Sequence, residues 1–414
     1  MANRNGGFIG TDGLDAPDPP TEVTPTAGDT QLSIAFTAPA DAGTSAITGF
    51  VAQVASSGDD YSAGSNTGTS SPIVVSSLSN GTSYTAKVWA INAYGTSAPS
   101  DASSGVAPSV PVGTRAIFGP ANTSNQIDTV LIPTTGNATD WGDFSISQSG
   151  SMHLSNTNRI VSKYTHDGSA SQNKVNTIVY TAWAAAGGTW SDFGDITASG
   201  PSQSCFTLSN DTRGLLGGGV ALDSSSVINT IEYLTIASTG NTQDFGDLPE
   251  EPRDSTGFAS QTRGIQAGGR TGGGTYFNAI NYVTISSTGN SSDFGDLNFS
   301  TRQLTSVNSS TRGVISGGFT GSAPIDSMDY ITIANTGNAS DFGNLSITRM
   351  GQAGACSTTR GIMAGGQTTG FGSVNSIDYI TIGSTGDASD FGDLTGTKSG
   401  FHEGGASNAH GGLA

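Results

Sequence analysis

Apolar and polar positions alternate along most of this chain, and the alternation returns at a nearly constant spacing. The clearest copy is Ser376-Ile377-Asp378-Tyr379-Ile380-Thr381-Ile382, then Gly383-Ser384-Thr385-Gly386-Asp387, then Ala388-Ser389-Asp390-Phe391-Gly392-Asp393-Leu394. A period of two, with β-branched and aromatic residues, predicts a half-buried strand. The Thr-Gly-Asp, elsewhere Thr-Gly-Asn, supplies the positive φ of a tight reversal. The returning strand is anchored by one aromatic. These anchors are Trp141, Phe193, Phe245, Phe294, Phe342 and Phe391, with separations of 52, 52, 49, 48 and 49. Arg115, Arg159, Arg213, Arg263, Arg312 and Arg360 form a second marker, with His410 in the matching place at the end. Each of the last four Arg opens an apolar strand closed by a Gly pair, as in Gly361-Ile362-Met363-Ala364-Gly365-Gly366. Four strands per repeat is the grammar of one propeller blade.

The chain divides into four parts. Residues 1–16 carry no period and read as a flexible arm, with Phe8 and Ile9 as its apolar contacts for anchoring to a neighbouring subunit. Residues 17–108 read as a β-sandwich, with strands at 31–36, 47–54, 71–75 and 78–92. Its Asn80-Gly81 turn feeds Tyr84, placed to bond back to the backbone. A stiff linker at 109–112 leads to the repeats, 113–414. Pro120 breaks the first Gly pair, and Ser162-Lys163-Tyr164 stands where the second would be. The tail, Gly404-Gly405-Ala406-Ser407-Asn408-Ala409-His410-Gly411-Gly412, looks like the start of one more unit. It is expected to meet the first in a shared sheet, which removes open edges.

Composition supports short strands and turns. There are 60 Gly, 34% apolar residues and only 12% charged ones, a profile unsuited to helix. The net charge of −18 repels phosphate backbones and anionic lipid, so nucleic acid and membrane are not expected partners. The start, Met1 to Gly7, lacks the apolar core of a secretion signal, so synthesis in a cytosol without export by that route is the expectation. Cys205 and Cys356 share no metal-ligand spacing and read as buried thiols.

Candidate chemistry is sparse. Asp-Phe-Gly recurs without any other kinase signature. The paired Asp residues, with Asn241, Asn290, Asn338 and Asp387, could form calcium sites, but Asp and Asn also serve turns by bonding the backbone. The Arg markers could ring a channel mouth, but are expected instead to pair with carboxylates and fix packing. The four His share no spacing with a nucleophile. No catalytic residue, metal site or cofactor is assigned. The variable loops after the Gly pairs are the candidate binding face, with Tyr164, His166, Tyr276, Phe277, Phe319 and Phe371 as ligand-contacting residues.

On these residues, 17–108 resembles a fibronectin type III domain. The likeness rests on the Pro19-Pro20 opening, the strand ending at Phe36, the Leu78–Tyr84 corner and Val88-Trp89-Ala90-Ile91-Asn92. Residues 113–414 resemble a kelch-type β-propeller, by their Gly pairs, the Tyr of Ile377-Asp378-Tyr379 and an aromatic followed by Leu. The expected fold is therefore all-β, a sandwich followed by a six-bladed, or seven-bladed, propeller. The strings Gly7-Phe8-Ile9-Gly10-Thr11-Asp12-Gly13-Leu14 and Ser384 through Leu394 resemble those of marine cyanophage structural proteins. That resemblance implies assembly in the host cytoplasm and display on a virion, in many copies and against capsid, tail or baseplate subunits. It also implies a non-enzymatic role as a tail or head fibre or decoration protein, with a host-surface glycan or protein as ligand. A purely structural cement protein and a kelch-type enzyme stay open as alternatives.

Overall fold

The computed structural model describes residues 15–56, 58, 60–109, 115–121, 124–148, 150–169, 171, 173–183, 185, 189–399 and 404–413. The anchoring positions Phe8 and Ile9 and most of the linker lie outside the described residues. Every regular element described is a strand. The chain forms two compact units, Met1–Pro111 and Val112–Ala414.

In the first unit, Thr21–Gly28, Gln31–Thr37 and Ile73–Ser76 form a three-stranded sheet. A second sheet takes the order Gly64–Gly68, Ile47–Ala55, Thr85–Asn92, Gly95–Thr96. Leu32, Ile34 and Phe36 alternate inward and meet Phe50, Ala52, Val54, Val88 and Ala90 in one core. Phe36 packs on Phe50 with ring centroids 4.8 Å apart. Tyr84 does close a corner: its hydroxyl accepts from the Ser79 amide at 3.1 Å. Gly64–Gly68 had no signal in the sequence, because Gly-Ser-Asn-Thr-Gly has no apolar alternation. It is an edge strand, aligned by its partner Ile47–Ala55.

Among the described residues, the second unit holds six antiparallel four-stranded sheets and one short two-stranded ladder. Five of the six take their strands in chain order. The other joins Arg115–Phe118, Ser124–Leu131 and Thr139–Gln148 to the tail strand Gly405–Ser407, with Ala406 opposite Ile117. The expected shared sheet is thus present. The leading strands Ser151–Ser155, Phe206–Ser209, Thr256–Ala259, Thr305–Asn308, Ala353–Cys356 and Gly405–Ser407 each touch the next, and Gly405–Ser407 touches Ser151–Ser155. The contacts therefore run in a cycle. Among the described residues of the second unit there is no seventh four-stranded sheet.

Two devices join neighbouring sheets, and both recur around that cycle. In the first, the turn Gly donates its amide to the anchor Phe carbonyl of the preceding sheet: Gly240 to Phe193 at 2.8 Å, Gly289 to Phe245 at 2.7 Å, and so on to Gly136 with Phe391 at 2.7 Å. The next residue's side chain accepts from the backbone of the same strand, as Asn290 does from the Asp247 amide at 3.0 Å and Asn137 from Asp393 at 3.1 Å. This clasp explains the repeated Asp-Phe-Gly. Its Gly sits on a bulge between Ile377 and Asp378 of the partner strand, and in Gly392 adopts φ +144. A Cβ there would lie 2.6 Å from the Gly136 carbonyl, so no other residue fits.

The second device corrects an expectation. Among the described residues, Arg159, Arg213, Arg263, Arg312 and Arg360 do not pair with carboxylates. Arg213, Arg263, Arg312 and Arg360 each lie over the Tyr of their own sheet, 4.4–4.7 Å from its centroid. Each donates to an Ile carbonyl of the following sheet, such as Arg263 to Ile333 at 2.8 Å. Arg360 closes the cycle on Ile132 at 2.9 Å. The carbonyls at the sheet edge need donors, and a guanidinium reaches them while its plane stacks on the ring.

Candidate functional site

Three regions of the second unit could carry function: the axis around which the sheets are arranged, the clasps, and the connections above the Gly pairs.

The axis is lined by the leading strands, and its cavity measures about 60 Å³, room for a few waters. Hydroxyls and an amide bond across from one strand to its neighbour: Ser155 to Ser407 O at 2.9 Å, Ser209 to Ser155 O at 2.9 Å, Ser306 to Gly257 O at 3.1 Å and Asn308 to Ala259 O at 2.6 Å. Gly354 and Gly405 sit where a Cβ would lie within 2.4 Å of a neighbouring carbonyl. The tail occupies the same axis: His410 Nε2 lies 2.9 Å from Ser155 O, and Gly411 packs against Ser309 O. A space this narrow, with its polar groups already bonded, admits no sugar or cofactor.

Potential catalytic groups are sealed as well. His153 is fully buried, its Nε2 2.7 Å from Gly119 O and its Nδ1 2.6 Å from Ser162 Oγ. Burial holds its ring well below the ordinary value, at about 4. The carbonyl accepts, so Nε2 carries the proton and the ring is neutral. Ser151 and Ser162 are fully buried too. Both cysteines are free and buried, and burial pushes the Cys356 thiol up to about 11. Neither matches an activated nucleophile. Among the described residues, no three His, Cys, Asp or Glu gather in a metal-binding arrangement. The oxygens of Asn241, Asn290, Asn338 and Asp387, candidates for calcium, accept backbone amides in the clasps.

Above each Gly pair the chain forms a small cap. The residue before the leading strand bridges the residue after the Gly pair, and that residue bridges the returning loop. The equivalent bridges are Gln203 to Val220, Arg253 to Arg270, Arg302 to Phe319 and Met350 to Gln367. The returning partners are Val227, Tyr276, Pro324 and Ser373. One backbone serves all four caps, yet the side chains share no common type. Between them runs a chain of amide bonds: Asp254 to Ser204 O at 2.8 Å, Gln303 to Asp254 O and Gly351 to Gln303 O, both at 2.7 Å. Ser204, Asp254 and Gln303 have φ between 55 and 60. Such conformations cost about 1 kcal/mol or more each without glycine, and they concentrate at working sites.

The richest cap region spans Arg253 to Phe319. The Asp254 carboxylate, only 2% exposed, faces three guanidinium groups through one oxygen, Oδ2. Arg270 Nε donates to it at 3.0 Å, Arg302 Nη1 at 3.4 Å, and Arg253 Nε lies 3.6 Å away. Arg302 lies over the Phe319 ring at 5.2 Å, and Tyr276 is tilted against Phe319 with centroids 6.4 Å apart.

The predicted ligand residues are distributed unevenly over this face. His166, Tyr276 and Phe319 occupy cap positions, and Tyr276 and Phe319 are brought together. His166 Nε2 is 2.8 Å from Gln203 Nε2 of the adjoining cap. Phe277 is half-buried, and its amide bonds to Gly269 O at 2.8 Å. Phe371 stands apart at a loop tip, 63% exposed. Tyr164 is not a displayed loop residue: it is 4% exposed, packs on Phe144 and bonds Ser145 Oγ at 3.1 Å. Its place at the end of a strand beneath the cap turns it inward. The sequence reading missed Asp254 and its three Arg. Arg270 and Arg302 lie 16 and 48 residues from Asp254, and the available signal was that Pro252-Arg253 and Thr301-Arg302 occupy the same phase of the repeat.

Lys163, which stands where the second Gly pair would begin, is buried and structural. Its Nζ donates to Val175 O at 2.9 Å and Ser202 O at 2.8 Å, and burial lowers it to about 7. No curated protein matches the chain. Residues 18–106 match the family described as fibronectin type III domain, so the first unit is a fibronectin type III domain within an otherwise all-β chain.

Proposed function

We propose that this chain is a non-enzymatic surface protein of a tailed-phage virion, a tail or head fibre or a decoration protein. In this reading the six sheets are the blades of a kelch-like β-propeller, and the cap side is its binding face for the host surface. The N-terminal arm and the fibronectin type III domain would attach it to other virion subunits. The observation that carries the binding half is the contrast within each repeat: the clasps keep the same residues around the cycle, while equivalent cap positions hold Val, Arg, Phe and Gln. A frame held constant under changing side chains suits recognition. The absence of catalysis is supported by the filled axis and by the burial of His153, Cys205 and Cys356. The virion half is supported by the strings resembling cyanophage structural proteins and by the order of arm, sandwich and repeats.

The test uses the full chain, fluorescently labelled, on host and non-host cells, with cryo-microscopy of particles beside it. Selective retention on host cells and a ring outermost on the particle are expected. A ring enclosed in the shell, with no retention, would overturn the binding half and leave a cement role. A chain missing from particles would overturn the virion half.

A further inference from the structure

In a chain with 33 acidic and 15 basic side chains, three Arg converge on a single buried carboxylate. Asp254 neutralises one of them, so the cluster keeps an excess of positive charge. An arrangement meant only to satisfy Asp254 would need fewer donors. Arg270 and Arg302 each spend one nitrogen on it. The terminal nitrogens of Arg253 and Arg270 have no protein partner among the described residues, and these side chains are 31% and 25% exposed. The buried Nε atoms of Arg253 and Arg302 and the buried Oγ1 of Thr301 make no hydrogen bond among the described residues. Buried polar groups are rarely left unpaired without a ligand or water to meet them. Glu250 and Glu251 are exposed on the connection ahead of Arg253, and no ion pair joins them to it.

Beside these donors stands the Tyr276–Phe319 pair, with Arg302 stacked on Phe319. A guanidinium fork recognises the oxygens of a carboxylate or sulfate in two-point fashion. A tilted aromatic pair offers a face for the apolar side of a sugar ring. Both are mounted on caps held by the cyclic frame, which limits the entropy lost on binding. We propose that Arg253, Arg270 and Arg302, with Tyr276 and Phe319, form a site for an oxyanion carried on a sugar: a sulfated or uronic-acid-bearing saccharide. The inference rests on reading the cap side as the binding face, and it names the chemical class that face takes.

The test is calorimetric titration of the full chain with four probes: a galactose 6-sulfate oligosaccharide, an oligogalacturonate, neutral galacto-oligosaccharide and inorganic sulfate. Binding of one or both charged oligosaccharides is expected, weakening as salt rises, with the neutral oligomer silent. The first two probes distinguish sulfate from carboxylate. Arg253→Gln with Arg270→Gln should weaken the charged oligosaccharide roughly tenfold or more in a variant that still folds, its unfolding midpoint lowered because buried Asp254 loses its Arg270 donor. Phe319→Ala should weaken the oligosaccharide and leave inorganic sulfate unaffected. Silence toward both charged oligosaccharides, or equal binding by wild type and the double Arg variant, overturns the site. Host-cell retention is measured in parallel on both proteins. Retention by both, without charged-oligosaccharide binding, overturns the site alone, whereas retention by neither overturns the host-binding reading.

Discussion

Each repeat has a part that hardly varies and a part that changes from copy to copy. The clasp is the first. Its Phe carbonyl meets a turn Gly amide at 2.7–2.8 Å, and its Arg lies over Tyr and reaches the next sheet's Ile carbonyl. The cap is the second, with Gln203, Arg253, Arg302 and Met350 on one backbone pattern. The clasp joins a turn to the strands of the neighbouring sheet, whereas the cap bridges lie mostly in the connections outside the long strands. The clasp must fill a fixed gap between neighbouring sheets and answer specific carbonyls. The cap has its backbone bonds satisfied by the bridges whichever side chain it carries.

The sharpest way to break this contrast is to put a side chain at a clasp glycine. Gly343 has φ +141, and a Cβ there would lie 2.5 Å from the Gly386 carbonyl. Gly343→Val is expected to cost about 3 kcal/mol or more, read by urea unfolding of the full chain. An unchanged midpoint would show that the clasp does not bear the frame.

The axis should behave as part of the frame, and pH tests this through His153. Its ring is held at about 4, against an ordinary value of 6.5. The unfolded chain takes up a proton as pH falls below 6.5, while the folded chain does so only near 4. Stability from this site is thus complete above pH 6.5 and lost progressively down to about pH 4, amounting to about 3 kcal/mol. Unfolding midpoints between pH 7 and 4, with ring titration by NMR, check it. A His153 ring titrating near 6.5 in the folded protein would contradict the burial argument.

A milder loss is expected from Arg312→Ala. It removes the stack on Tyr330, 4.5 Å from its centroid, and a bond of 3.2 Å to Ile382 O. The expected cost is about 1–2 kcal/mol, measured as a shift in denaturation midpoint. Gln367→Ala lies at the small end. This cap residue is half-buried and its backbone bridges to Met350 stay intact, so a change within about 0.5 kcal/mol is expected by the same denaturation.

The same contrast explains what could be read from the chain. Tyr379, Gly386 and Phe391 were visible because local alternation and turn chemistry dictate them. The tail's return to Arg115–Phe118 was legible because Gly404–Gly412 repeats the opening of a unit. The partners of the Arg markers were not: a carbonyl leaves no trace in side-chain lettering, and Ile333 lies 70 residues from Arg263. Asp254 was hidden for a related reason. Its three Arg come from the connections of two sheets, and the bridges Arg253 to Arg270 and Arg302 to Phe319, with the Gln303 amide on Asp254 O, bring them together. Tyr164 misled because an aromatic near a loop carries no sign of whether it faces out.

The most direct measurement pairs two Arg-to-Ala changes, Arg312 in a clasp and Arg253 in a cap, and records both unfolding midpoint and host-cell retention for each. Arg312→Ala is predicted to lower the midpoint and, while folded, to keep retention; Arg253→Ala is predicted to lose retention at an unaltered midpoint. A cap variant that melts early with retention intact, or a folded clasp variant that no longer binds cells, would contradict the division between a part that holds and a part that recognises.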